Sequence, residues 1–428
     1  MRQTLFYLPH ELLGIPVLGV GWVLGVWIAV AIGFLWFASK KQSMWTLLEE
    51  QGVVWLVAAC VIAFLLPKIE TRIPDGTASG WIVGLPVRGY GVMLMLGVLS
   101  AVSIALVRCK QVGVSQEAFF SLATWAVVAG LVGARLFYVV QKWNELDGDT
   151  IAAKLWTSLK VTEGGLVVYG GVIGGLIAIL LWARKHRFPL LPLADSVTPA
   201  FFIGLAFGRI GCLLNGCCYG GICEQSLPAI EFPSGSPAYV DQLRSGKLLG
   251  MVTDKEPSAA EPQPIRRVLP NSWASANNVV PGERLAFVGE KQVDGMTPSE
   301  PYAHPVFEAT IRIDGRRIDV ASIDIPRSSL PVHPSQIYAA IGGLLLCCWT
   351  LLLAENVKKT GLVFGAGLIW YGVLRIMEEW IRVDEVGQFG TSLSIAQWVS
   401  LAAILLGVLI IARRNSVFHS AWHERGRS

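Results

Sequence analysis

GRIGCLLNGCCYG, running from Gly208 to Gly220, is the stretch on which the reading of this chain turns. It places an arginine, an asparagine and three cysteines at the end of a segment that is otherwise apolar enough to lie in a membrane. A charge at that depth costs roughly 2.5–3.5 kcal/mol on insertion scales, so it is retained for a partner or a ligand. Two questions follow: whether the chain lies in a membrane, and what Arg209 is for.

Of the 428 residues, 53% are hydrophobic and 15% charged, sixteen are tryptophan, and the mean hydropathy is +0.53. Soluble proteins carry about 25% charged residues, so the class is an all-α polytopic membrane protein. The net charge of +4 is small and scattered, which points away from nucleic acid as a partner. Apolar runs near the length needed to cross about 30 Å of hydrocarbon predict about nine transmembrane helices. They fall at 17–38, 52–67, 86–107, 117–141, 166–183, 194–215, 335–354, 361–382 and 395–412. The first apolar run is long enough to span and has no clear small-residue cleavage site, so it reads as a retained helix rather than a signal peptide.

Short loops set the orientation. Lys40, Lys41, Arg108, Lys110, the run Arg184 to Arg187, Lys358, Lys359, Arg413 and Arg414 fall on one side. Glu70, Asp75, Glu145, Asp147, Asp149, Asp384 and Glu385 fall on the other. The positive-inside rule makes the first side cytoplasmic. The N-terminus and region 221–332 are then outside and the C-terminus inside. The division is an N-terminal extension with two extra helices (1–84), a membrane core in two parts (85–220 and 333–412), an extracytoplasmic head (221–332) and a basic tail (413–428). Within the head, 226–306 is rich in Pro, Ser and Gly without clear periodicity, and long loops are expected there. ATIRIDGRRIDV, Ala309 to Val320, is different: Asp314-Gly315 is a two-residue turn signal. Pairing across it puts Ile311, Ile313, Ile318 and Val320 on one face of a half-buried β-hairpin and Arg312, Arg317 and Asp319 on the other.

The glycines of YGGVIGG, Tyr169 to Gly175, follow no strand and run on into an apolar helix, so they are not a nucleotide loop. Their spacing, like that of Gly204/Gly208 and Gly361/Gly365, lets membrane helices approach closely. The cysteines Cys212, Cys217, Cys218 and Cys223 have a C-x4-C-C-x4-C spacing unlike a zinc finger. Buried thiols are the first reading, a disulfide through Cys223 the second, and a metal site the third.

With this orientation, Arg88, Tyr90, Arg135, Tyr138, Tyr169, Arg209, Asn215, His333, Ser335, Gln336, Arg375, Glu379 and Arg382 all fall in the outer half of the bilayer. Interfacial belts and snorkelling explain Arg88, Tyr138 and Arg382 one at a time. Arg209, Arg375 and Glu379 lie deeper. Arg375, Glu379 and Arg382 share one helix face, and an Arg375–Glu379 ion pair would partly neutralise itself. Arg209 has no acidic neighbour on its own helix. Guanidinium groups bind phosphate bidentately and stay charged in apolar surroundings, which points to a phospholipid headgroup. Enzyme, lipid transporter and anion channel all fit that cavity.

These residues give the chain its resemblance to the bacterial prolipoprotein diacylglyceryl transferases. GRIGCLLNGCCYG resembles the family signature GRIGN-x-x-NG-x-x-x-G, HPSQIYAA from His333 its HPSQ-x-Y motif, and RIMEEWIR from Arg375 its R-x-x-x-E-x-x-R helix. VRGYG around Arg88 and GARLFY from Gly133 match weaker patterns, and the likeness covers about 85–412. It implies transfer of the diacylglyceryl group of phosphatidylglycerol to the lipobox cysteine of prolipoprotein signal peptides, among membrane lipids, with no metal or organic cofactor. It further implies that Arg209 and Arg375 hold phosphate and that Glu379 orients them. Asn215 and Tyr90 position the headgroup, and Arg135, Gln336, Arg382 and Gly220 complete the substrate-binding set. Asp195 matches a family aspartate and is read as a structural cap. Tyr169 stands where the family carries the histidine of HGG, Cys212 where it carries asparagine, and Cys217 where an acid can occur. A phenol of pKa about 10 is a poor base, so Tyr169 is assigned a hydrogen bond. His333 or a substrate phosphate oxygen is left to take the proton of a thiol whose pKa is about 8.5. A non-catalytic or transport-type relative that binds phospholipid or signal peptides is the second reading. Tyr169 favours it, and the retained arginines and glutamate favour transfer.

Overall fold

The computed structural model describes residues 3–38, 40, 55–73, 81–143, 146, 150–158, 165, 167–223, 228–294, 304–357, 359–381, 390–391 and 393–413. Its helices are α1 (Trp22–Ala38), α2 (Trp55–Lys68), α3 (Gly89–Gln111), α4 (Gln116–Gln141), α5 (Ile151–Ser158) and α6 (Val168–Lys185). They continue with α7 (Leu190–Asn215), α8 (Pro237–Arg244), α9 (Trp273–Ala276), α10 (Ser335–Asn356), α11 (Leu362–Ile381) and α12 (Ile395–Ala412). Five of them, α3, α4, α7, α10 and α12, are long and apolar enough to cross a membrane. α1 and α2 are apolar but shorter, and α11 carries Arg375, Glu378 and Glu379 within its twenty residues. The chain is a mostly helical, multi-pass membrane protein. Its contacts divide it into two compact units, Met1–Leu94 with Gly208–Ile337 and Met95–Phe207 with Tyr338–Ser428.

The first unit holds the β-structure. Strand β1 (Thr4–Pro9) pairs antiparallel with a later strand, Trp81–Arg88, that leads into α3. Helix α3 therefore begins at Gly89 rather than at the expected residue 86, because Pro86 is extended in that strand, opposite Tyr7. The long loops expected over 226–306 are not what forms. Strands Met251–Thr253, Gln263–Val268, Arg284–Asp294, Val306–Ile313 and Arg316–Val320 make a five-stranded antiparallel sheet. A core of Tyr239, Leu243, Leu249, Met251, Ile265, Leu285, Ile311 and Ile313, each at most 2% exposed, includes residues of this sheet and of α8. The sheet was hidden in the sequence because register shifts at Val252/Thr253, Phe287/Gly289 and Gln292/Asp294 interrupt the period-two alternation. The hairpin expected at Asp314-Gly315 forms with Ile318 opposite Ile311 and Val320 opposite Ala309. Both turn residues have positive φ, 45° and 83°, as a tight two-residue turn of this hand requires. Burial pushes the Tyr239 hydroxyl up to about 12.

The second unit is held by helix contacts that only glycine permits. A Cβ on Gly133 of α4 would meet the Gly170 carbonyl of α6 at 2.4 Å, and one on Gly174 would meet Ala129 O at 2.3 Å. The close-packing reading of YGGVIGG therefore holds, chiefly through Gly170 and Gly174; Gly171 and Gly175 leave 3.5 Å. The Gly365 end of the Gly361/Gly365 pair likewise packs against Ile411 and Gly407 of α12. Gly204/Gly208 does not follow this pattern. A Cβ on Gly204 would sit 3.9 Å from Ala101, and one on Gly208 would meet nothing within 4 Å. Asp195 of α7 accepts backbone hydrogen bonds from Gly361 at 2.5 Å and Phe364 at 2.8 Å. It caps the start of α11 from a neighbouring helix, in agreement with the capping role read for it.

Candidate functional site

The end of α7 is shaped by a helix C-cap. Gly216, at φ 79°, donates its N–H to Leu213 O, and the Cys217 N–H reaches back to Cys212 O at 3.1 Å. This is a Schellman pattern, in which the left-handed residue is almost always glycine and the two residues flanking the turn make side-chain contact. Here those two residues are Cys212 and Cys217. The following turn is tied to the start of α10. Ser335 Oγ donates to Cys218 O at 2.7 Å, and the buried Gln336 Nε2 donates to Cys217 O at 2.8 Å. Gly220 N donates to His333 O at 2.9 Å, and His333 N donates to Gly221 O at 3.0 Å. The signature stretch and the HPSQ stretch, far apart in sequence, are thus bound together through their backbones.

Four expected residues lie around this turn in different states. Arg209 is half-buried and, among the described residues, makes no hydrogen bond or ion pair. The Tyr90 ring packs against Gly211, where a Cβ would come within 3.0 Å of it. The Asn215 carbonyl accepts from Gln3 Nε2 at 3.1 Å. Gln336 is fully buried, and its Oε1 has no hydrogen-bond partner among the described residues. No local pattern in the sequence singled out Gln3, because its role comes from β-pairing with a strand about eighty residues later, Gly89 N donating to Gln3 O at 2.9 Å.

The second unit holds the rest of the expected set. Arg375 Nη1 lies 2.8 Å from Glu379 Oε2 and 3.8 Å from Glu378 Oε2. The pair is held by charge rather than by an aligned hydrogen bond, since that nitrogen and both Glu379 oxygens are buried without a hydrogen-bond partner among the described residues. Glu378 is a second acidic neighbour that the four-residue spacing did not single out. Arg135 is differently engaged. Its Nε donates to Ser158 O at 2.8 Å, Nη1 to Gly165 O at 3.0 Å and Nη2 to Thr157 O at 3.1 Å, with the Tyr138 ring 5.1 Å away. Tyr169, in the first turn of α6, is 46% exposed. Arg382 lies outside the described residues, as do Glu145, Asp147, Asp149, Asp384 and Glu385 of the acidic loops.

No disulfide joins any of the eight cysteines, so the pairing considered for Cys223 is not present. Cys223 is buried, while the sulfurs of Cys212, Cys217 and Cys218 all lie within 4.8 Å of one another.

A family model described as prolipoprotein diacylglyceryl transferase matches residues 80–413. The chain belongs to that family. Among its relatives, the phosphatidylglycerol–prolipoprotein diacylglyceryl transferase of Rhodopirellula baltica is 35% identical over 96% of this chain and 89% of its own length. The proteins of the same name from Clostridium tetani and Bdellovibrio bacteriovorus are 27% and 29% identical over 76% and 80% of this chain. The Rhodopirellula alignment leaves out too little to miss the region before residue 80, so that relative shares most of the N-terminal extension beyond the family match.

Proposed function

We propose that this chain is a phosphatidylglycerol–prolipoprotein diacylglyceryl transferase that alkylates the lipobox cysteine of prolipoproteins, the first step of lipoprotein maturation. The observation that carries the reading is Arg209: a guanidinium in the family signature, half-buried at the end of an apolar helix, with no hydrogen bond or ion pair among the described residues. A buried cation without a counter-ion is costly, and a phosphate diester supplies one.

In the reaction the cysteine sulfur forms a bond to the terminal glyceryl carbon of the lipid. The carbon–oxygen bond to phosphate breaks, glycerol phosphate leaves, and the thiol proton passes to a base. Arg209 is assigned to the departing phosphate, whose charge grows in the transition state, where fixed donors act most strongly. Arg375 is assigned to phosphate as well, with Glu379 holding it. Tyr90 and Asn215 position the headgroup, and the unsatisfied Gln336 Oε1 is an acceptor for a headgroup hydroxyl. Gly220 serves through its backbone, by fixing His333. The three carbonyls on Arg135 support a substrate role exerted through Thr157, Ser158 and Gly165 rather than by direct contact. Arg382 is retained in the substrate-binding set on the motif alone. His333 or a substrate phosphate oxygen takes the proton, and Tyr169 donates a hydrogen bond.

The proposed topology has nine spans, with the N-terminus and the 221–332 head outside a bacterial inner membrane and the tail from 413 in the cytoplasm. Basic residues concentrated in alternate short loops support it. The deciding experiment incubates purified protein with phosphatidylglycerol and a lipobox peptide and follows the peptide by mass. A gain of one diacylglyceryl group is expected. No gain, where an authentic transferase succeeds, would favour the lipid-binding relative that Tyr169 brings to mind. His333→Ala is expected to lower turnover far more than Tyr169→Phe, and the reverse order would overturn the assignment of the proton acceptor.

A further inference from the structure

The transfer chemistry assigns no task to Cys212, Cys217 and Cys218, yet they are the densest group of soft ligands among the described residues. Their three sulfurs lie within 4.8 Å of one another. Sequence spacing argues against a metal here, because it looks for four ligands in pairs. The backbone argues the other way. The Schellman turn at Gly216 brings Cys212 and Cys217 side by side, and the left-handed Cys218, at φ 59°, folds the third thiol back onto them. The turn is pinned from outside, by Ser335 on the Cys218 carbonyl and Gln336 on the Cys217 carbonyl. The three thiols are therefore set in position before any ligand arrives, which removes much of the ordering cost of binding.

We infer that Cys212, Cys217 and Cys218 form a three-sulfur site for one soft metal ion, with Cu(I) as the matching class. Thiolates select soft ions such as Cu(I). Structural Zn(II) sites take four ligands, and Cys223, the fourth cysteine of the run, is not part of the group. Each cysteine that ligates releases its proton to solvent, so uptake is accompanied by acidification. This inference does not depend on the transferase reading, because it is tested by binding alone.

The test uses the full-length protein, reduced and in detergent, titrated with Cu(I) against a chromophoric Cu(I) chelator. One equivalent per chain is expected to be withdrawn, with at least a tenfold loss of affinity in each of Cys212→Ser, Cys217→Ser and Cys218→Ser and none in Cys223→Ser. Mass mapping of alkylated wild-type protein gives a second readout that needs no variant. The three cysteines should be alkylated without Cu(I) and protected with it. Failure to withdraw copper, withdrawal that survives loss of all three thiols, or equal alkylation with and without Cu(I) would each overturn the proposal.

Discussion

Arg209 and Arg375 sit in apolar helices of different units and look alike in sequence, but their surroundings make them different kinds of group. Arg375 has a carboxylate 2.8 Å away and a second at 3.8 Å. Arg209 has neither. A third arginine, Arg135, donates to three backbone carbonyls. The lesson is that a buried guanidinium points to a ligand in proportion to the donors its own protein leaves uncommitted. By that measure Arg209 is the strongest candidate and Arg135 the weakest, although all three belong to motifs of the family.

Three single substitutions and one double variant test this ordering, and a further substitution at Asp195 tests a carboxylate that caps a helix. Glu379→Gln removes the nearer counter-charge of the buried Arg375, leaving Glu378 at 3.8 Å, and should cost up to about 3–5 kcal/mol of stability, read as a lower Tm in detergent. The double variant Arg375→Met/Glu379→Leu should recover most of that stability without recovering activity. Arg209→Lys should lower kcat/KM by about 10²–10³-fold, the scale of losing a preorganised oxyanion donor, because an ammonium cannot grip phosphate bidentately. Its Tm should not move, and a fall in Tm would show that Arg209 has a structural partner after all. Arg135→Met should destabilise by about 1–3 kcal/mol through carbonyls left without donors. Faster proteolysis next to Thr157, Ser158 or Gly165 would localise that effect. Asp195→Ala should cost about 1 kcal/mol, the usual scale for a lost helix cap, with transfer intact. A large loss of transfer would make Asp195 a member of the site.

Much of the membrane part was legible in the chain. α7 ends at Asn215, α10 starts at Ser335 and α12 spans Ile395–Ala412, as the apolar runs predict. Hydrophobic length is a property of consecutive residues, so it needs no knowledge of distant partners. The Gly170/Gly174 spacing also pointed to a crossing that only glycine permits, whereas at Gly204 of the identical Gly204/Gly208 spacing α3 lies at ordinary contact distance and Gly208 meets nothing within 4 Å. Spacing shows that a helix face is bare and leaves open how closely another helix lies against it. The head sheet escaped notice because β-bulges break its alternation and its strands pair across long intervals.

By itself the sequence determined the class, most helix positions, the hairpin at Asp314-Gly315 and, through its motifs, the family. Those are matters of composition, local periodicity and short patterns. The tertiary structure decided which arginine is unpaired among the described residues, that Gln3 secures Asn215, and that three cysteines of unpromising spacing meet at one turn. Each of these depends on where a backbone reverses or which distant strand pairs, and such geometry is set by packing rather than by neighbouring residues. GRIGCLLNGCCYG shows both sides: its letters identify the family, and the left-handed turn at Gly216 gathers three of its sulfurs within 4.8 Å of one another.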